Sequence, residues 1–146
     1  MNVPLPRRGE VWWVILDPVV GHELGGHKRD GPYEPRPAVV VSDDRLNTGA
    51  SGQAVIVPID DTLDTGTSEM ATIVPITGTI RPNPFHVSLD EGEGGLTKPS
   101  AALCDHVRSI STLRFRGREG LISATALVRI EIRLRSVLRL PTNPTP

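Results

Sequence analysis

Arg36-Pro37-Ala38-Val39-Val40-Val41-Ser42 is the stretch from which the fold is read. Residues 38–41 are all apolar and three of them are β-branched. An extended chain with no polar position on either side suits a strand buried on both faces. Pro37 is tolerated because it stands at the strand's first residue. Arg36 sets a permanent cation at the mouth of that strand. Its planar fork of donors pairs with phosphate oxygens through short, charge-assisted bonds. An arginine capping a strand edge in solvent fits the same position, and at this level both readings stand.

In front of this run lies a long polar loop, residues 18–35, holding four glycines and three prolines. Before the loop, Glu10-Val-Trp-Trp-Val-Ile-Leu16 is β-branched and aromatic, so it reads as a strand that Asp17-Pro18 stops. Behind the run, residues 43–53 are turn-rich, with a helical turn at Asp44–Asn47. Ala54–Ile59 and Thr72–Thr77 are similar apolar runs, each carrying Pro-Ile, and each reads as a strand. Residues 60–71 between them are acidic and polar. Phe85–Leu89 alternates as a strand, residues 90–95 form an acidic glycine turn, and Ala101–Cys104 and Val107–Ile110 are short strands.

The tail carries two patterns. Leu127, Ile130, Leu134 and Val137 or Leu138 share a helical face behind a Ser123 N-cap. Val128–Arg135 also alternates as a strand would. About 17 residues up to Arg139 is long for a strand, so length favours a helix, which Pro141 ends. Short strands followed by one terminal helix imply a small, mostly antiparallel β barrel or sandwich.

The 146 residues fit a single domain spanning 1–146, with a flexible lead (1–8), the helix (123–140) and a tail (141–146). No run of about 18 apolar residues occurs, so no membrane span is expected. The first residues lack an apolar signal core, and the single cysteine, Cys104, leaves no internal disulfide and no Cys-rich zinc site. Both fit a cytoplasmic protein. Charge is divided unevenly: residues 1–105 hold 8 basic and 15 acidic side chains, residues 106–146 hold 8 arginines and 2 glutamates. With the net charge at −1, nucleic-acid binding has to use a local patch or the arginines of the terminal helix.

Histidine is the usual acid–base group near neutral pH. His86 reads as structural within its strand. His106 follows Asp105 directly, although strand neighbours point to opposite faces. His22 and His27 flank the glycine loop and can reach a ligand. The four show no metal-ligand spacing.

The ordered set RGEVWWVILDP (8–18), a Gly-Gly loop, RPAVVVS (36–42), VPIT (74–77), FHVSL (85–89) and KPSAALCDHVRSIS (98–111) resembles the MazF/PemK type of toxin endoribonuclease over roughly residues 7–140. The resemblance implies an SH3-like antiparallel β barrel with a C-terminal helix, shared with the CcdB type. It implies a homodimer that cleaves single-stranded RNA without a metal or other cofactor and is neutralised by a cognate antitoxin. Arg36 and Thr77 then match the family's active-site arginine and threonine. Arg108 matches a further family arginine, read as a framework or dimer residue first. His22, Glu23, Gly25, Gly26 and Tyr33 in the loop, together with Ser42 and Arg81, are the candidate RNA contacts.

The chemistry fits those residues. Metal-free cleavage needs the 2′-hydroxyl to attack its own phosphate, a stabiliser for the phosphorane, and a proton for the leaving oxygen. Arg36 suits the second task, and its very high pKa makes it a poor proton shuttle. Thr77 can hydrogen-bond a non-bridging oxygen. Two features depart from the compact family pattern: residues 27–35 lengthen the loop, with Leu24 where glutamine is common, and residues 60–71 separate the two VPI-like runs. Tyr33 in the first extension can stack on a base. A binding module on the same barrel, poisoning a protein target as CcdB-type toxins do, is the alternative function.

Overall fold

A computed structural model gives the fold and describes residues 5–16, 34–47 and 70–141. Seven strands are described: β1 (Glu10–Val14), β2 (Arg36–Val40), β3 (Met70–Thr77), β4 (His86–Leu89), β5 (Ser100–Leu103), β6 (Arg108–Ser111) and β7 (Phe115–Leu121). A short helix α1 (Asp44–Asn47) follows β2, and α2 (Ala124–Leu138) closes the chain. The strands form one antiparallel sheet in the order β4-β5-β3-β2-β1-β7, with β6 also paired to β3. β3 is long enough to pair with β2 and β6 at one end and β5 at the other. That double engagement curls the sheet into an open, barrel-like shape. Among the described residues no helix is long and apolar enough to cross a membrane.

The central strand is buried on both faces, as its sequence requires. Val39 and Val41 join a core with Val11, Val74, Ile76, Leu89, Ala102 and the α2 residues Ala126 and Ile130. Ala38 and Val40 point the other way, into a second core with Val14, Leu16, Ile73, Ile110 and Phe115. Trp12 flanks that second core and meets Phe115 edge-on at 5.5 Å. Each fully buried valine of β2 contributes roughly 1.5–3 kcal/mol before chain entropy is charged. The partners across β2 follow from register: Val39 faces Val11 and Val74, and Val40 faces Ile73.

The tail is a helix, and its length outweighs its local alternation. The Ser123 hydroxyl accepts the Ala126 amide at 3.1 Å, and Ala126 and Ile130 are its buried residues. Leu127, Leu134 and Val137 pack against the same core, whereas Leu138 is exposed. The helical turn falls at Asp44–Asn47 as expected. β3 begins at Met70, so the last two residues of the stretch 60–71 are strand. β7 had no counterpart in the sequence reading. The strand at 54–59, most of the glycine loop, and residues 60–69 lie outside the described residues.

Glu10 links β1 to β7. Burial works to raise its pKa, but hydrogen bonds from the Arg118 guanidinium, the Arg7 amide and the Trp12 indole outweigh it and hold the carboxyl below its ordinary value of 4.5. Its stabilising contribution is therefore full above that unfolded value and disappears as pH falls through the lower folded one. Glu10→Gln is expected to flatten the acid-side loss of stability in urea titrations between about pH 5 and pH 3. Ser123→Ala removes the helix cap and is expected to cost about 1 kcal/mol in the same assay at neutral pH.

Candidate active site

Arg36 and Thr77 stand at neighbouring ends of β2 and β3, two residues beyond the last pair of the β2–β3 ladder. Ala38 faces Pro75 and Val39 faces Val74 across the β2–β3 pair. Continued outward by two residues, this antiparallel register would align the Arg36 position with Thr77. Both lie at strand ends, where Arg36 is half-buried and Thr77 is buried. Arg36 lines an open cleft of about 160 Å³ with Trp13, Ile76, Gly78, Lys98 and Glu119. Thr77 is 8% exposed and sits behind the rim, between the lining residues Ile76 and Gly78.

The Thr77 hydroxyl oxygen accepts the Thr79 amide at 3.1 Å. That bond closes the turn after β3 and fixes the side chain, and the O–H hydrogen remains a donor. The structural reading of Thr77 and the functional one are therefore compatible. Lys98 adds a second cation. Its terminal atoms lie over Gly78, where a Cβ would stand 2.1 Å from Lys98 Cε and 2.4 Å from Nζ. Only a residue without a side chain lets the lysine fold down at this point.

The cleft also holds a carboxylate. The Trp13 indole N–H donates to Glu119 Oε2 at 2.7 Å. Glu119 reaches Trp13 because of a bulge: Val11 faces Gly120 and Trp12 faces Arg118, which leaves Glu119 as the extra residue between them. Bulges re-aim side chains in this way and are common beside active sites. Arg118 pairs with Glu10 beside Trp12, while Glu119 joins Trp13.

The other sequence candidates are placed elsewhere or not described. His22, Glu23, Gly25, Gly26 and Tyr33 lie outside the described residues, as does His27. Ser42 stands at the far end of β2 from Arg36. Its hydroxyl accepts the Thr72 amide at 2.9 Å and bonds Asn47, whose side-chain amide donates to the Ser42 carbonyl at 3.1 Å. This buried network ties α1 to the sheet, so the structure does not bring Ser42 into the cleft. Arg81 is exposed in the connection after Thr77 and does not line the cleft. Arg108 opens β6 opposite Ile73, consistent with a framework position. Asp105 pairs with His86 Nε2 at 3.3 Å, across β4, not with its sequence neighbour His106. Trp13, Lys98 and Glu119 were not among the sequence candidates. Lys98 stands in the KPSAALCDHVRSIS run, but Glu119 leaves no signal because the bulge breaks the strand's alternation.

This chain belongs to the PemK-like, MazF-like toxins of type II toxin–antitoxin systems. The model of that family matches residues 7–138. The chain is 36% identical over 138 residues to endoribonuclease MazF9 of Mycobacterium tuberculosis, covering 92% of this chain and 97% of that protein. The crystal structure of MazF from Deinococcus radiodurans superposes with a TM-score of 0.68 at 25% identity, over 94% of this chain and 99% of that one. An endoribonuclease from a mycobacterial species, solved with its cognate antitoxin, shares the fold at 17% identity and a TM-score of 0.61, over 94% and 99% of the two chains.

Cys104 is a free cysteine buried in the core beneath α2. Burial pushes its thiol up to about 12, the Asp105 charge adds to the rise, and Arg133 opposes it. A thiol at that value has almost no thiolate at neutral pH. The native protein is expected to resist iodoacetamide at about pH 8, whereas the urea-unfolded protein reacts readily; mass spectrometry of the alkylated peptide reads the difference.

Proposed function

We propose that this chain is an endoribonuclease toxin that cuts single-stranded RNA without a metal, with Arg36 and Thr77 at the scissile phosphate. The observation that supports the reading is the β2–β3 register, whose extension by two residues aligns the positions of Arg36 and Thr77 beside the cleft that Arg36 lines. In the reaction, the substrate's 2′-oxygen loses its proton and forms a bond to the adjacent phosphorus. The bond from phosphorus to the 5′-oxygen breaks, and that oxygen takes up a proton. The products are a 2′,3′-cyclic phosphate and a 5′-hydroxyl.

Charge builds on the non-bridging oxygens as the phosphorane forms. Arg36 meets that charge with paired N–H donors, and the Thr77 hydroxyl adds a neutral donor. Lys98 adds a second positive charge at the same rim. The groups that accept and return the proton are not assigned to Arg36, which stays protonated throughout. Cytoplasmic action, a cognate antitoxin and a homodimer belong to the same reading. The exposed apolar residues Val128, Ile132, Leu138 and Leu140 on and just after α2 give a second copy a surface to cover. Light scattering at micromolar concentration is expected to return the mass of a dimer.

Purified protein incubated with a long RNA should give discrete fragments, and EDTA should leave their yield unchanged. Arg36→Ala is expected to slow cleavage about 10²–10³-fold, the cost of removing one well-placed donor to a developing oxyanion. It should also abolish growth arrest on induced expression. Undiminished cleavage by that variant would sink the role given to Arg36. Gly78→Ala should leave stability nearly intact, because its clash is with the flexible tip of Lys98, yet it should lower cleavage by displacing that ammonium.

A further inference from the structure

We propose that Trp13 and Glu119 form a base-reading subsite beside the scissile phosphate, selecting a nucleobase that carries an exocyclic amino group. The inference rests on the ribonuclease reading of the cleft. Both side chains line the cleft that holds Arg36, so a nucleotide whose phosphate meets Arg36 brings its base within their reach. Trp13 is half-buried between Pro37 of β2 and Gly117 of β7, and Gly117 contributes no side chain beside the indole. A flat ring left uncovered on its β7 side is a stacking platform, and stacking tolerates any base.

Glu119 supplies the discrimination. The indole N–H occupies Oε2 at 2.7 Å and fixes the carboxylate's orientation. An ionised carboxylate is an acceptor only. It therefore favours a base edge rich in donors: the amino groups of adenine and cytosine, or the adjacent N1–H and amino group of guanine. Uracil offers a single N3–H between two carbonyl oxygens, and those oxygens meet the carboxylate with like polarity.

The backbone beneath Glu119 is built to hold this position. Glu119 is the extra residue of the β1–β7 bulge. The turn at Glu93–Gly95 presses against it: a Cβ on Gly95 would lie 2.6 Å from the Glu119 carbonyl oxygen, and one on Gly120 would lie 2.5 Å from the Gly94 carbonyl oxygen. Gly94 and Gly95 both have positive φ, 61° and 82°. Close approach on two sides fixes the extra residue, as a specificity contact requires.

The test maps cleavage ends on one long RNA with wild type, Glu119→Gln and Trp13→Phe, with thermal melting to confirm each fold. Wild type is expected to show, at one position next to the cut, a strong preference for amino-bearing bases over uracil. Glu119→Gln presents a donor as well as an acceptor, so the ratio of amino-base sites to uracil sites should fall about ten-fold. Trp13→Phe keeps a stacking ring but frees the carboxylate, and should shift the ratio the same way by less. Fragments from wild type with an unchanged preference in both variants would overturn the subsite and leave the ribonuclease reading intact. Uniform slowing of all sites by Glu119→Gln would also overturn it, since a base reader acts on site choice. Intact RNA with wild type would instead refute the ribonuclease reading and the subsite with it.

Discussion

Two-sided burial of β2 is the constraint on which the rest of this molecule depends. Val39 and Val41 face the core under α2, and Ala38 and Val40 face the core under Phe115. A strand filled on both faces cannot slip by one residue without exchanging its two cores, so its register is strongly specified. Register in turn determines what stands at the strand's end. Because Ala38 faces Pro75, the same register extended by two residues aligns the Arg36 position with Thr77. The core thus positions the candidate chemistry without a dedicated scaffold. The energy that holds Arg36 in place is the burial energy of the valines behind it.

The opposite wall of the cleft is held by a different device. β1 and β7 pair irregularly, with shifts between Val11 and Trp12 and between Trp13 and Val14. The first shift frees Glu119 from the ladder and sends it to Trp13. Glycines at 94, 95 and 120 let a turn and a strand touch backbone to backbone around that point. Regular pairing makes one wall and irregular pairing the other. The chain uses regularity where geometry must be fixed by packing, and irregularity where a polar group must leave the sheet.

These two devices differ in how visible they are in a sequence. β2 is legible because four apolar residues in a row admit few conformations, and the helix is legible because Ser123 and the 127/130/134 spacing agree. β7 is not: Phe115-Arg-Gly-Arg-Glu-Gly-Leu121 has two glycines and three charges, and two bulges erase its alternation. Arg36 and Thr77 are legible as candidates because each stands at the end of a readable strand. Glu119 was hidden because it belongs to an unreadable one. The Asp105–His86 pair was hidden for another reason: the partner of Asp105 comes from a separate strand, and only the β4–β5 pairing brings them together. Ser42 shows the converse, a residue legible in the right strand but at its wrong end, where Thr72 and Asn47 take up its hydroxyl.

Charge follows the same local logic. A chain of net charge −1 has no general attraction for a polyanion. Attraction must come from cations placed where the phosphate lies. Arg36 is fixed by the sheet, and Lys98 is laid over Gly78 by the absence of a side chain there. The arginines of α2 make a separate, exposed cluster, with Arg129 reaching the Ser88 carbonyl at 3.3 Å. Screening by salt weakens exposed charges most and partly buried ones least. The half-buried Arg36 therefore keeps its pull on a phosphate under conditions in which the helix arginines lose theirs. Glu119 in the same cleft lowers the net attraction for phosphate. A carboxylate kept at that cost has to be justified by what it distinguishes, and beside a phosphate site the group to be distinguished is the base.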